Sequence, residues 1–437
     1  MYAILPAAAV LAAALALGTL LLWRRLLRGR TAMAAYFGAT VAVTVLAATA
    51  AATQPQQTGR DIPAGTPVLT SLSVGQKQVP VLVVPGRPGA NLVAMSAEDG
   101  AAGPAADRLT PGRSRPGSTL TWTVVDLPAG RSTLWVSTGG ATAGLPVDTG
   151  KAAARAESGP TATVSGPDGP ECAHYALGRA LAADTGAAER TGTGTAERTG
   201  TPAAGQTGTD HSGTHPASTL GKDAALPTVP LTSCPSDTLT KADAAALRAT
   251  VDYLAGRGHH ALALTADSSP RGRAAAAEVR AAAARAGLTV AGPDTRNLPL
   301  VVVAGWKGAD SAVRAVASGK TRAEGTYLAP WLLNAPLLQP SAGQLLPLSY
   351  VPRSPEAEDY LAALGTWLPG ETPSGTSYTA WRAARGTPVS ALRLYAAATV
   401  FVPGSGGAGG AHHGGTGPDW LPSGMIVPAT GPLGPTR

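Results

Sequence analysis

The segment Leu264–Gly292, LTADSSPRGRAAAAEVRAAAARAGLTVAG, combines the signals of a strand, a short loop, a helix and a second strand. Ser269 stands at the position of a helix N-cap, and Pro270 occupies the first turn. Gly287 follows the last residue of the helical pattern and is expected to end it. A helix between two strands is the crossover that a parallel sheet needs, so the segment predicts an α/β fold.

The same alternation continues on both sides of this segment. Thr240–Gly256 is predicted to be a helix with one apolar stripe, and Thr240 with Asp243 forms a start that is similar to a capping box. Leu298–Ala304 is a continuous apolar run, which is typical of a strand covered on both faces. A further helix and strand follow. The pattern predicts a mostly parallel sheet with right-handed crossovers over 160–404.

The region 60–150 has a different pattern. Runs rich in β-branched residues are broken by Gly and Pro, with no helical period. Thr119–Val125 and Ser132–Ser137 are predicted to be two strands around the turn LPAG, and Leu120, Trp122 and Val124 alternate with polar residues. This predicts a small, immunoglobulin-like β-sandwich ahead of the α/β domain.

The first 56 residues predict two transmembrane helices. Ala3–Trp23 and Ala32–Ala52 are apolar and each long enough to cross the hydrocarbon core of a bilayer. The loop between them carries four arginines, which predicts a cytoplasmic loop and places the rest of the chain outside the cell. The expected location is a multi-pass cell-membrane protein in contact with the lipid bilayer. A cleaved second segment is the alternative.

Cys172 and Cys234 are the two cysteines of the chain. An even pair in an extracytoplasmic domain most simply predicts a disulfide. A metal pair or a catalytic thiol is the alternative, and His174 lies two residues from Cys172. No CxxC motif supports either. The disulfide would enclose the low-complexity insertion 185–220, in which the repeated AERTGT offers no apolar run to bury.

Several stretches within 160–404 are similar to type I periplasmic binding proteins, the Leu/Ile/Val-type substrate-binding proteins of ABC transporters. The likeness rests on 267–292, LVVVAGWKGADSAVRAV, GTYLAPWLLNAPLL and SPEAEDYLAAL. SALRLYAAATVFVPG is similar to a late helix of that family. The resemblance implies a non-catalytic solute-binding fold. A full member has two lobes, so the first lobe must be shortened here and its binding groove incomplete or lost.

A ligand site, if retained, should lie beyond the carboxyl ends of the strands. The residues at these positions are Asp267, Ser268, Ser269, Trp306, Tyr327 and Trp331. Hydroxyls, free amides at a helix N-terminus and aromatic walls suit a small amino-acid-like ligand. The structural alternative is that Ser269 only caps its helix, Asp267 bonds a turn and the tryptophans fill gaps between layers.

Signatures of other functions are missing or weak. The sequence contains no GxSxG, HExxH or P-loop motif, and Glu356 and Glu358 fit the solvated face of a helix, so no enzyme and no cofactor is predicted. The net charge of +7 includes no basic stripe interleaved with aromatics, which argues against nucleic acid. No metal site is predicted, since His211 and His215 lie in the insertion, and His412 and His413 in the Gly/Pro-rich tail 405–437.

Three functions remain open at this point. The first is a membrane-anchored solute-binding or sensory protein. The second is a structural or protein-interaction module whose ligand site has degenerated and which contacts a membrane protein. The third is a copper-handling accessory, because VVPGRPGANLVAM resembles a stretch in immunoglobulin-like modules of bacterial copper-handling membrane proteins. Met95 is the one copper-type ligand in that stretch.

Overall fold

The computed structural model describes residues 65–150, 169–192, 234–341, 343–399, 419–422 and 424–434. These residues belong to one compact unit, Ile62–Arg437. None of the helices within the described ranges combines the length and apolar character that a membrane crossing requires. The two predicted membrane segments lie outside these ranges, as do the histidines at 211, 215, 412 and 413 and nearly all of the predicted insertion.

Residues 65–150 form a β-sandwich of two antiparallel sheets. The larger sheet has the order β1-β2-β3-β7-β6 and the smaller one β5-β4-β8-β9. The strands are β1 (Val68–Val74), β2 (Lys77–Val84), β3 (Gly89–Met95), β4 (Ala101–Ala105), β5 (Arg108–Pro111), β6 (Arg113–Arg115), β7 (Ser118–Leu127), β8 (Arg131–Thr138) and β9 (Ala141–Asp148).

The α/β part is built on a mixed sheet with the order β11-β10-β12-β13-β14-β15-β16. The first five of these strands are parallel neighbours, and β15 and β16 join one edge antiparallel. The strands are β10 (Ala261–Thr265), β11 (Thr289–Ala291), β12 (Leu298–Val302), β13 (Ala323–Leu328), β14 (Gln344–Leu348), β15 (Arg393–Thr399) and β16 (Gly424–Pro428). The predicted α/β fold with a mostly parallel sheet is confirmed.

Helices connect and cover this sheet. They are α1 (Gly169–Gly192), α2 (Lys241–Gly256), α3 (Pro270–Arg285), α4 (Trp306–Ala317), α5 (Ala335–Leu338), α6 (Pro355–Trp367) and α7 (Gly375–Arg385). Thr240 caps α2 by accepting a hydrogen bond from the Asp243 N–H, and Ser269 caps α3 through the Gly272 N–H. Both caps were predicted from the sequence.

One element differs in type from its prediction. SALRLYAAATVFVPG resembles a late helix of the binding-protein family, but Arg393–Thr399 is strand β15. Leu394 and Ala397 are buried in the sheet, and β15 pairs with β14 on one side and β16 on the other. Ala-rich sequence favours helix in isolation, and pairing on both sides overrides that weak local preference here.

The larger sheet of the sandwich is buried on both of its faces. Val81 and Val83 point into the sandwich interior, whereas Leu82 and Val84 join the core of the α/β part. Strand β3 alternates in the same way. Two-sided burial explains the unbroken apolar run VPVLVV, because a strand with one solvated face would alternate. The sandwich and the α/β part therefore share a core.

Candidate functional site

The strand order places a topological switch point between β10 and β12. The chain leaves β10 toward β11 on one side, and β12 and its successors lie on the other side. In open α/β sheets, ligands bind in the crevice outside the carboxyl ends of the strands at such a point. The loop after β10 contains Asp267, and the loop after β12 leads into Trp306, the first residue of α4. The two loops meet at this crevice.

Asp267 ties these two loops together. One carboxylate oxygen accepts a hydrogen bond from the Gly305 N–H at 2.7 Å, across the switch point. The other oxygen accepts from the Ser269 N–H at 3.1 Å and from the Ser269 hydroxyl at 2.6 Å. Ser269 in turn accepts from the Gly272 N–H. The polar groups of Asp267 and Ser269 are therefore already hydrogen-bonded, within the two loops and at the N-cap of α3.

Two tryptophans fill the centre of the crevice. The Trp306 indole donates to the Trp331 carbonyl oxygen at 3.2 Å, and the Trp331 indole donates to the Ala304 carbonyl oxygen at 3.0 Å. Trp306 is fully buried and Trp331 nearly so. Gly117, in the turn between β6 and β7, lies directly against the Trp306 ring. The side-chain amide of Asn334 donates to the Gly117 carbonyl oxygen. The sandwich thus covers the carboxyl edge of the sheet.

A buried ion pair lies beside these tryptophans. The Arg271 guanidinium on α3 donates to both carboxylate oxygens of Glu171 on α1. It also stacks on the Trp331 ring, with its carbon 4.2 Å from the ring centroid. Thr376 donates to the same carboxylate, and the Pro235 carbonyl oxygen accepts from Arg271. Both charges are therefore desolvated and bonded by neutral partners as well as by each other.

A second buried polar group joins the sandwich to the α/β part. The Ser118 hydroxyl on β7 donates to the Glu371 carboxylate at 2.7 Å and accepts from the Trp122 indole at 2.8 Å. The Nε2 atom of His174 lies 3.6 Å from the same carboxylate, and its Nδ1 atom lies 3.1 Å from the Ser374 hydroxyl oxygen. These side chains are at most 5% exposed. Their hydrogen bonds run between elements that are far apart in the sequence.

The other two predicted site residues, Ser268 and Tyr327, make none of the buried contacts described above. Ser268 is exposed, and its carbonyl oxygen accepts from Arg273 on the surface of α3. Tyr327 lies within β13, and burial raises the pKa of its phenol, with smaller effects from Tyr253 and Arg257. As contacts to a ligand, the six predicted residues stay a prediction.

Sequence reasoning missed the residues that dominate the centre of this edge. Glu171 and His174 had a weak signal, since they lie three residues apart on the apolar helix PECAHYALGRALAA. Arg271 had a similar weak signal. It is a charged residue on the same face of its helix as Ala275 and Val279, which form the buried apolar stripe. Glu371 comes from an irregular loop, for which no sequence pattern predicts a buried position.

The cysteines are joined in a disulfide, with a Cα–Cα distance of 5.2 Å. This confirms the predicted pairing and links α1 to the short 3-10 helix Pro235–Asp237. The Pro235 carbonyl oxygen accepts a hydrogen bond from Arg271, so the disulfide holds a neutral acceptor in place beside the buried ion pair. The metal-pair alternative for the cysteines is thereby excluded.

Within the described residues, no cluster of three or more His, Cys, Asp or Glu side chains could hold a metal ion. Met95, the copper-type ligand of the sandwich, is fully buried among apolar side chains of the sandwich core. Gly100 lies against its side chain. Met95 therefore serves packing at this position.

The fold resembles parts of several solved solute-binding proteins. One is an extracellular ligand-binding receptor from Verminephrobacter eiseniae, with a TM-score of 0.27, 14% identity and coverage of 33% of this chain and 48% of that one. An ABC transporter substrate-binding protein from Desulfitobacterium hafniense in complex with Leu gives a TM-score of 0.25 and 14% identity, covering 33% and 47%. A solute binding protein from Rhodopseudomonas palustris BisB5 in complex with 3,4-dihydroxybenzoic acid gives 0.27 and 16%, covering 33% and 46%.

These matches span about half the length of the solved chains, and their low TM-scores carry no argument about ligand or role. The chain matches no protein-family model, and no curated protein matches it.

Proposed function

We propose that the protein is a non-catalytic, extracytoplasmic interaction module in which a β-sandwich takes the place of a ligand at the carboxyl edge of an α/β sheet. One observation carries this proposal. The turn at Gly117 lies against Trp306 at the switch point, where a solute would otherwise bind. In this proposal the module acts through contacts with a protein partner, including a membrane protein.

The state of the ionisable groups supports a non-catalytic role. Glu171, Arg271, His174 and Glu371 are at most 2% exposed and are engaged with one another or with neutral partners. A general acid or base must reach a proton of its substrate, directly or through one water molecule. Groups enclosed between the sandwich and the helices do not offer that access.

The disulfide supports an extracytoplasmic location, because structural disulfides persist in oxidising compartments. The membrane anchor over 1–56 and its contact with the bilayer belong to the proposal. The test is to replace the exposed Val389 by Cys in a Cys172→Ala/Cys234→Ala background and to label intact cells with a membrane-impermeant maleimide. Labelling supports the topology, and labelling only after lysis contradicts it.

A second candidate is a solute-binding or sensory protein for a small amino-acid-like ligand at Asp267, Ser268, Ser269, Trp306, Tyr327 and Trp331. The strand order favours it, since the switch point is the usual binding position in such sheets. This function would require the sandwich to leave the crevice. The copper-handling alternative would rest on residues outside the described ranges.

A thermal-shift experiment on the full chain in detergent separates these functions. Each of the common amino acids is added at millimolar concentration. A ligand at 100 times its dissociation constant would stabilise the fold by about 2.7 kcal/mol. The interaction module predicts no amino-acid-induced shift that depends on Trp306. A shift that Trp306→Ala abolishes would instead establish solute binding at the switch point, and a shift with copper would favour the third function.

A further inference from the structure

A small pocket lies beside the filled crevice, at the carboxyl end of β14. It is a cavity of about 140 Å³ between the loop after β14, helix α7 and the segment 387–390 that follows α7. The side chains that matter for its chemistry are Tyr350, Val351, Ser354, Tyr378, Arg382 and Val389. The pocket is on the edge of the sheet where α/β proteins bind ligands, but the sandwich does not fill it.

Arg382 brings an unbalanced positive charge to this pocket. Its side chain is 7% exposed, yet it forms no ion pair with any residue in the described ranges. Its Nη2 group donates to the Pro388 carbonyl oxygen, and its guanidinium lies 5.5 Å from the Tyr350 ring centroid and 5.7 Å from that of Tyr378. A buried charge is costly unless it is paired, and arginine has five N–H donors, of which one is used here.

Glu356 also lines the pocket but does not neutralise Arg382. Its side chain is exposed, and its carboxylate is held by its own backbone N–H first and by the Ser354 hydroxyl second, which lowers its pKa. The electrostatic effect of Arg382 on this carboxylate is smaller than either hydrogen bond. The guanidinium of Arg382 is therefore available to bind an anion that enters the pocket from solution.

The rim of the pocket is apolar. Val351 is 45% exposed and Val389 76%, and both line the cavity. Together with the tyrosine rings they would cover a small apolar group, while one guanidinium balances one negative charge. We propose that this pocket binds a monocarboxylate with a small apolar body, its carboxylate on Arg382 and its body against Val351 and Val389. The carboxylate belongs either to a free acid or to the C-terminus of a partner.

The test is isothermal titration calorimetry on the full chain with isovalerate and with the peptide acetyl-Gly-Gly-Val. Each probe has its C-terminal or acid amide as a neutral control. We expect the carboxylates to bind and the amides to bind at least about tenfold more weakly, the size expected when a charge-assisted hydrogen bond is lost. Binding of isovalerate alone identifies a free acid, and clearly tighter binding of the peptide identifies a C-terminus.

Two variants test the contact itself. Arg382→Met should weaken carboxylate binding at least about tenfold, with the melting temperature as a check on folding. Val389→Asp adds a negative charge at an exposed rim position and should also weaken binding, whereas Met425→Asp changes an exposed apolar residue that does not line the pocket. The proposal is overturned if neither carboxylate binds at millimolar concentration, if the amides bind equally, or if Val389→Asp and Arg382→Met leave binding unchanged.

Discussion

The guanidinium of Arg271 donates two hydrogen bonds to the carboxylate of Glu171, at 2.5 and 2.8 Å, in a position where neither side chain is more than 2% exposed. The pair joins α3 to α1 across a hundred residues of sequence. Removing one partner of a buried pair leaves the other charge unpaired, whereas the pair as a whole contributes little against well-packed apolar residues.

Arg271→Met is therefore expected to destabilise the fold by about 3–5 kcal/mol. The measurement is urea unfolding, followed by circular dichroism. Arg314→Met is the matched control, because the Nε–H of Arg314 donates to both carboxylate oxygens of Asp310 on the surface of α4. An exposed pair within one helix contributes little to stability, so Arg314→Met should cost far less than Arg271→Met. The double variant Arg271→Met/Glu171→Met should recover much of the loss.

Equal losses for Arg271→Met and Arg314→Met would contradict the buried pair. So would a double variant that loses the sum of the two single losses, because partners of one interaction are not additive.

Gly117 provides a test of the contact that closes the crevice. A Cβ atom at this position would lie 2.1 Å from Cε3 of Trp306, and φ is +87°. Gly130 has a φ of +84° but no atom within 4 Å of its Cβ position. Both alanine variants are destabilised by the left-handed backbone conformation. The difference between their free energies of unfolding therefore reports the contact with Trp306. We expect Gly117→Ala to cost about 1–3 kcal/mol more than Gly130→Ala in urea unfolding.

If Gly117 packs against Trp306, a substitution of Trp306 should reduce the destabilisation caused by Gly117→Ala. Trp306→Leu removes the ring atoms that an alanine at 117 would meet, so the added cost of Gly117→Ala should fall in that background. If the two glycine variants cost the same, the sandwich does not press on Trp306 in solution.

The α/β layout was predictable because its signals are local. Thr240 and Ser269 cap helices through residues three positions along the chain, and Gly287 follows the helix that Ser269 starts. A continuous apolar run such as Leu298–Ala304 likewise predicts that the strand is buried on both faces. These patterns depend on a few neighbouring residues and survive any tertiary arrangement that buries one helix face.

The site was not predictable to the same degree, because its contacts are distant in sequence. Ser118 bonds Glu371, and Gly117 packs on Trp306, so each partner gains its role only after the sandwich has docked. One clue was present. The run VPVLVV in β2 lacks the alternation of a one-sided strand, and that signal indicates a second buried face.

The disulfide joins Cys172 and Cys234, which are 62 residues apart in the sequence. Closing a loop of that length in the unfolded chain is expected to stabilise the fold by about 4 kcal/mol. Reduction with dithiothreitol should lower the urea midpoint accordingly. The Cys172→Ala/Cys234→Ala variant should unfold at the lower midpoint whether or not reductant is present. A wild-type midpoint that does not move, while thiol titration shows two free thiols, would argue against this contribution.

Alkaline pH should unfold the protein through its buried tyrosines. Burial raises the pKa of Tyr350 well above its usual value of 10.0, and burial likewise raises the pKa of Tyr360. A phenol whose folded pKa exceeds its unfolded value stabilises the fold fully below pH 10, and this contribution is lost as the pH rises toward the folded pKa. Absorbance at 295 nm should therefore show delayed ionisation of these phenols, completed in step with the loss of circular dichroism.

Tyr350→Phe gives the sharper version of this test. The Tyr350 hydroxyl is buried and has no hydrogen-bond partner among the described residues, so its removal should cost little at pH 7. Above pH 10 the variant has no phenol at this position to ionise on unfolding, and its alkaline unfolding midpoint should move to higher pH. An unchanged midpoint, or ionisation of every tyrosine near pH 10 with the fold intact, would mean that water reaches the Tyr350 side chain in the folded protein.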